Sequence, residues 1–95
     1  MSVLKKFKNK NIAIYGMGKS GLSVALKFKK IAKLLCWDDN KKIRSNLNKL
    51  GFVNNKFWLS KENEIDFIVL SPGIDINKCK ISHYLKKIKK KLLQI

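Results

Sequence analysis

The sequence predicts an α/β fold, with a doubly wound parallel sheet of about five strands and helices on both faces. Short apolar runs alternate along the chain with segments of helical periodicity, which is typical of successive strand–helix–strand units. Glycine follows the first of these runs, two carboxylates follow the second, and Ser-Pro-Gly follows the most regular one. With 95 residues, the chain is expected to form a single domain, 1–95, around a modest core.

The first half of the chain is predicted to contain two strand–helix pairs. The run 11–15 is short, apolar and ended by glycine, and therefore predicts a buried strand. The periodicity of 20–32 predicts a helix with Gly21 on its buried stripe, where a missing side chain allows close packing on the sheet. The apolar run 33–38 predicts a second strand, and 40–50 predicts a second amphipathic helix.

The second half of the chain is predicted to add further strands and one helix. The run 56–59 is a candidate for a short third strand, and 61–65 is a polar connection with up to one helical turn. The run 66–70 has the strongest strand pattern of the sequence, and the apolar spacing of 81–88 predicts a third helix. The run 92–95 is predicted to begin a fifth strand.

The charge of the chain is strongly basic, at +16, and invites a nucleic-acid interpretation. However, 21 of the 22 basic residues are lysine and only Arg44 is arginine, whereas base readout favours arginine. The lysines also alternate with the apolar residues of the predicted helices. This pattern favours solvated helix faces over a specific nucleic-acid interface, with non-specific attraction to polyanions at low salt.

The cysteines and the histidine indicate neither a metal site nor a disulfide framework. Cys36 and Cys79 are 43 residues apart, and His83 lies in a basic helical segment where a surface position is expected. Free thiols are typical of a reducing compartment. No apolar run approaches the length of about 18 residues that a membrane span needs. We therefore expect a cytoplasmic protein without a membrane partner.

The G-x-G-x-x-G pattern at 16–21 follows the first predicted strand and opens the first predicted helix. Such a turn lets the backbone approach a phosphate group, which the helix N-terminus attracts. Ala13 occupies a position where a nucleotide-hydrolysing P-loop needs glycine, so that interpretation fails. Lys19 could reach a phosphate and Ser20 could donate its hydroxyl to one.

Two other stretches are predicted to lie at the same edge of the sheet as this turn. Asp38 follows Gly16 by 22 residues, where a carboxylate could accept from ribose hydroxyls or from the imide N–H of uracil. The alternative role for it is a helix cap, which Asp39 fits better, and either Asp39 or Asn40 can cap the second predicted helix. Ser-Pro-Gly at 71–73 could present backbone N–H groups or form only a turn. Without a nucleophile–base set, the sequence predicts a binding domain with no catalytic residue.

These stretches resemble the N-terminal domain of the Mur ligases. The resemblance rests on NIAIYGMGKSG at 11–21, WDD at 37–39 and VLSPGI at 69–74, and extends along essentially the whole chain. It implies a Rossmann-like, UDP-binding domain of the family member that adds D-glutamate to UDP-N-acetylmuramoyl-L-alanine. That reaction is a cytoplasmic step of peptidoglycan synthesis, which serves cell shape and division. It uses ATP and Mg²⁺ to activate the substrate carboxylate.

The resemblance also implies roles for ten residues. The expected substrate-binding set comprises Gly18, Lys19, Ser20, Gly21, Asp38, Asp39, Asn40, Ser71, Pro72 and Gly73. Lys19 and Ser20 would contact the diphosphate, while the residues at 38–40 would lie at the uracil. Asn40 departs from the basic residue that relatives often have. The ATP-binding and C-terminal domains are expected to be absent, so this chain, expected to be a monomer, should lack ligase activity alone.

A second interpretation is an NAD(P)-binding Rossmann module of a dehydrogenase or a channel-regulatory protein. It shares the glycine turn and Asp38, but it offers no reason for Ser-Pro-Gly after the most regular strand. A third interpretation, a small basic nucleic-acid-binding protein, rests on the net charge alone.

Overall fold

The structure is a computed structural model and describes residues 5–94. Its four strands form one parallel sheet in the order β2-β1-β3-β4. The strands are β1 (Asn11–Tyr15), β2 (Lys33–Trp37), β3 (Phe67–Leu70) and β4 (Leu92–Gln94). The predicted parallel α/β fold is confirmed, with four strands among the described residues instead of about five.

The helices connect the strands as the alternating pattern predicts. They are α1 (Lys19–Phe28), α2 (Lys41–Lys49) and α3 (Ser82–Lys87), with short 3₁₀ turns at Phe57–Leu59, Glu62–Glu64 and Lys89–Lys91. The turn at Glu62–Glu64 confirms the predicted polar connection with one helical turn. Helix α1 ends four residues before the predicted boundary, and a turn in which the N–H groups of Ile31 and Ala32 both donate to the Phe28 carbonyl leads from it to β2.

The predicted strand at 56–59 is wrong, and the burial of its side chains explains the difference. Phe57 is fully buried while Leu59 is 75% exposed, although the two would share a face in a strand. The 3₁₀ turn separates them and inserts Phe57 beside Tyr15, with ring centroids 6.2 Å apart. The predicted strand 92–95 is present as β4, and Ile95 lies outside the described residues.

Both faces of the sheet are covered by helices, as predicted. Ile12 and Ile14 of β1 lie in the apolar cluster that also contains Ala25 of α1 and Leu47 of α2. The alternate residues of β1 lie in the opposite cluster, which contains Leu85 of α3. The two core layers therefore follow from the period of two in a buried parallel strand.

Both cysteines are free, and the buried Cys36 thiol is expected to lower the free energy of unfolding at alkaline pH. Burial raises the pKa of the Cys36 thiol from 9.0 to about 11. The folded state therefore favours the neutral thiol. The contribution of this thiol to the free energy of unfolding is complete below pH 9 and is lost as the pH rises to 11. We expect this loss to reach about 2–3 kcal/mol in urea unfolding, and the Cys36→Ala variant to lack it. Parallel pH profiles of the two proteins would contradict this expectation.

Candidate functional site

The turn after β1 leads directly into α1. Gly16 has a φ of +95°, a backbone region that favours glycine, and its N–H donates to the Trp37 carbonyl at 2.8 Å. Gly18 is the N-cap of α1, and no side chain accepts a hydrogen bond at this cap. The first turn of α1 contains no acidic residue. The helix N-terminus therefore offers backbone N–H groups and a positive dipole to an anion.

Gly21 packs directly on this turn. A Cβ atom at Gly21 would lie 1.9 Å from the Gly16 carbonyl oxygen, so no other residue fits without a shift of the backbone. The missing side chain has the packing role that the sequence predicts. Its direct partner is the Gly16 backbone at the end of β1.

Asp38 connects the ends of β1 and β2. Its carboxylate accepts from the Met17 N–H at 2.7 Å and from the Asn40 N–H at 2.8 Å. Asn40, not Asp39, caps α2, because its side-chain oxygen accepts from the Lys42 N–H at 2.9 Å. The side chain of Asp38 therefore holds the glycine turn against the start of α2.

Asp39 is directed at different partners from those of Asp38. Its carboxylate accepts from the Tyr15 hydroxyl and from the Trp37 indole N–H, the latter at 3.2 Å. Tyr15 is fully buried. Burial, and then the hydrogen bond and negative charge of Asp39, raise the pKa of the Tyr15 hydroxyl well above its ordinary value. Asp39 thus gives a buried phenol its acceptor.

Removing the Tyr15 hydroxyl tests the energetic importance of this pair. We expect Tyr15→Phe to lower the free energy of unfolding by about 1–3 kcal/mol, since Asp39 loses a charge-assisted hydrogen bond. Tyr84→Phe is the matched control, because the buried Tyr84 hydroxyl has no hydrogen-bond partner among the described residues. Urea unfolding at pH 7 should show a smaller effect in the control, and equal losses would contradict this assignment.

Ser71, Pro72 and Gly73 form the turn after β3. The Ser71 hydroxyl donates to the Gly16 carbonyl at 3.0 Å, and the Ser71 N–H donates to the Tyr15 carbonyl at 3.1 Å. Pro72 and Gly73 are exposed. The turn therefore closes on the glycine turn from the side opposite to Asp38.

These elements line an open pocket of about 380 Å³ at the carboxyl ends of β1, β2 and β3. Its lining comprises Gly16, Gly18, Lys19, Ser20, Asp38, Ile43, Ser71, Pro72, Gly73 and Ile74. Seven of the ten residues expected at the site are in this set. Gly21, Asp39 and Asn40 are not: Gly21 packs on Gly16, Asp39 binds Tyr15 and Asn40 caps α2.

Three lining residues lie outside the expected set: Gly16, which belongs to the predicted glycine turn, and two that sequence reasoning missed, Ile43 and Ile74. Ile43 lies on the apolar stripe of α2, and the stripe alone predicts a core position. Ile74 directly follows Ser-Pro-Gly, and its N–H closes that turn on the Ser71 carbonyl at 3.0 Å. Both give the pocket an apolar wall beside its polar groups. Pockets of this composition are typical of small-molecule sites.

The fold and the pocket define a class of protein: a parallel α/β domain with a pocket at the carboxyl ends of its central strands. No helix among residues 5–94 is long and apolar enough to cross a membrane.

Sequence comparison identifies the relatives within this class. The chain is 36% identical over 90 residues to the UDP-N-acetylmuramoylalanine--D-glutamate ligase of Wolbachia sp. subsp. Brugia malayi. The aligned segment covers 90% of this chain and 18% of that ligase. The chain is 39% identical over 75 residues to the Wolbachia pipientis wMel ligase of the same name, with 75% and 14% covered. It is 38% identical over 92 residues to that of Elusimicrobium minutum, with 95% and 20% covered.

The resemblance to the N-terminal domain of the D-glutamate-adding Mur ligase is thereby confirmed. The chain spans a fifth or less of the length of these three relatives. No protein-family model and no solved structure matches it.

Proposed function

We propose that this chain is the Rossmann-like domain that binds the UDP-linked substrate in a ligase adding D-glutamate to UDP-N-acetylmuramoyl-L-alanine. The observation that carries the proposal is a coincidence of sequence and position. The three stretches behind the resemblance form one pocket at the carboxyl ends of neighbouring parallel strands. Nucleotides bind at this position in open α/β sheets.

The diphosphate of UDP is assigned to the start of α1. The backbone N–H groups at this helix N-terminus have no side-chain cap, and Lys19 and Ser20 both line the pocket. Lys19 is exposed and supplies a mobile positive charge, while the hydroxyl of Ser20 can donate to a phosphate oxygen. Gly18 brings no side chain into this space, and the space around it is open, because a Cβ placed there would meet nothing within 4 Å.

The uracil is assigned to Asp38. Each oxygen of its carboxylate accepts one backbone N–H, and a carboxylate retains further acceptor capacity for the imide N–H of the base. We propose that Asp39 and Asn40, which follow Asp38 directly in the chain, contribute to the uracil side of the site by holding the backbone at Asp38 in place. Pro72 and Gly73 would form the opposite wall without a bulky side chain.

The chemistry of the whole ligase is assigned outside this segment. Among residues 5–94, no group of three or more His, Cys, Asp or Glu side chains converges to hold a metal ion. We therefore assign no Mg²⁺ site and no catalytic step to these residues. We propose that ATP and Mg²⁺ act in the whole protein, in the cytoplasm and within peptidoglycan synthesis, and that this chain acts as a monomer.

Calorimetric titration separates this function from its alternatives. UDP, NAD and a short DNA duplex would each be titrated into the chain at moderate salt. We expect UDP to bind more tightly than NAD, and duplex binding to weaken steeply as salt is raised, because lysine–phosphate contacts release counterions. Binding of NAD without binding of UDP would favour a dinucleotide-binding module instead.

A further inference from the structure

The peptide group that joins Gly16 to Met17 is held on both sides by side chains that follow two other strands. Its carbonyl oxygen accepts from the Ser71 hydroxyl at 3.0 Å, and its N–H donates to the Asp38 carboxylate at 2.7 Å. Ser71 follows β3 and Asp38 follows β2, so this peptide lies between the ends of the three central strands. The plane of one peptide bond is thereby fixed by two distant parts of the chain.

The local sequence does not fix this plane by itself. Gly16 has a φ of +95°, and glycine samples positive and negative φ with similar ease. Packing also constrains the Gly16 carbonyl, because its oxygen lies against Gly21, at a position where there is no space for a Cβ atom. A Cβ at Gly16 would also lie 2.8 Å from the Ser71 Cβ, so Ser71 is in close contact with the turn. The orientation of the carbonyl therefore depends on its contacts.

We propose that Ser71 is a positioning residue for the phosphate-binding turn. Its hydroxyl holds the Gly16 carbonyl against the start of α1 and keeps the Met17 N–H on Asp38. The backbone N–H groups that follow, at the start of α1, are then directed at the pocket before a ligand arrives. The inference rests on the proposed function for the identity of the ligand, a nucleoside diphosphate, and on the hydrogen bonds alone for the positioning itself.

Hydrogen exchange of the Met17 amide tests the positioning without any ligand. We expect Ser71→Ala to accelerate this exchange at least tenfold under native conditions, and Ser71→Thr, which keeps the hydroxyl, to restore the slow rate. Ile88→Val is the control for a general loss of stability, since Ile88 is buried in the core layer on the α3 face. Met17 exchange rates in Ser71→Ala that equal those in Ile88→Val would overturn the proposal.

Titration of UDP into the same variants tests the consequence for binding. We expect Ser71→Ala to weaken the affinity about tenfold, with recovery in Ser71→Thr and no change in Ile88→Val. Weaker UDP binding with unaltered Met17 exchange would mean direct contact between Ser71 and the ligand, and would overturn the positioning role. Fast Met17 exchange in Ser71→Ala, in a chain whose wild type fails to bind UDP, would uphold the positioning role and contradict the proposed function.

Discussion

Replacing Gly21 with alanine is expected to lower the free energy of unfolding by at least about 3 kcal/mol, the upper range for overpacking in a well-packed site. The added Cβ would lie 1.9 Å from the Gly16 carbonyl oxygen and 2.9 Å from its carbon. These are backbone atoms at the end of a central strand, so relief requires α1 to move away from the sheet. Urea unfolding followed by circular dichroism measures the loss.

Gly18→Ala is the matched control for this prediction. Gly18 lies three residues earlier in the same turn, has a φ of −72°, and leaves open space around an added Cβ. Its replacement is expected to change stability by less than about 1 kcal/mol, the scale of a poorer N-cap residue. If the two variants unfold at the same urea concentration, the close approach of α1 to Gly16 does not limit stability.

Replacing Asp38 with alanine is expected to weaken UDP binding by about 1–3 kcal/mol, the scale of a lost hydrogen bond to a charged group. The variant removes the acceptor assigned to the uracil and leaves the Met17 and Asn40 amides without their partner. Some loss of stability is therefore expected as well. Titration of UDP at a temperature where the variant remains folded separates the two effects.

Asp75→Ala controls for the change in net charge that Asp38→Ala brings. Asp75 is exposed and does not line the pocket, and among residues 5–94 its carboxylate accepts only from the nearby Asn77 N–H at 2.8 Å. Each variant removes one negative charge from a chain of net charge +16. We expect the Asp75 variant to bind UDP like the wild type. Equal affinities of the two variants would show that the assignment of Asp38 to the uracil is wrong.

Local patterns were sufficient to predict the elements that lie next to the site. The strand at 11–15, the glycine turn and the helix that follows are specified within a few residues of one another, and the structure has each of them. Gly21 was assigned to a packing contact because helical periodicity places it on the buried stripe. The clustering of 16–21, Asp38 and 71–73 followed from the rule that carboxyl ends of parallel strands meet at one edge.

The parts that sequence reasoning missed depend on contacts between distant residues. The apolar pattern of 56–59 predicts a strand. In the structure, Phe57 packs beside Tyr15 while Leu59 is exposed to solvent. The hydrogen-bond partner of Asp39 could not be predicted, because no local sequence pattern places the Tyr15 hydroxyl within hydrogen-bond distance of its carboxylate. The bond from Ser71 to Gly16 joins residues 55 positions apart.

The long sequence separation of these hydrogen bonds bears on when the pocket forms during folding. The turn at Gly16 is completed by Asp38, 21 residues from Met17, and by Ser71, 55 residues from Gly16. Contacts of such sequence separation form late, after loop closure between the strands. A chain in which only β1, α1 and β2 had assembled would contain the glycine turn without its bond to Ser71. Under the proposed function, we therefore expect binding of the nucleoside diphosphate to require that β3 has joined the sheet.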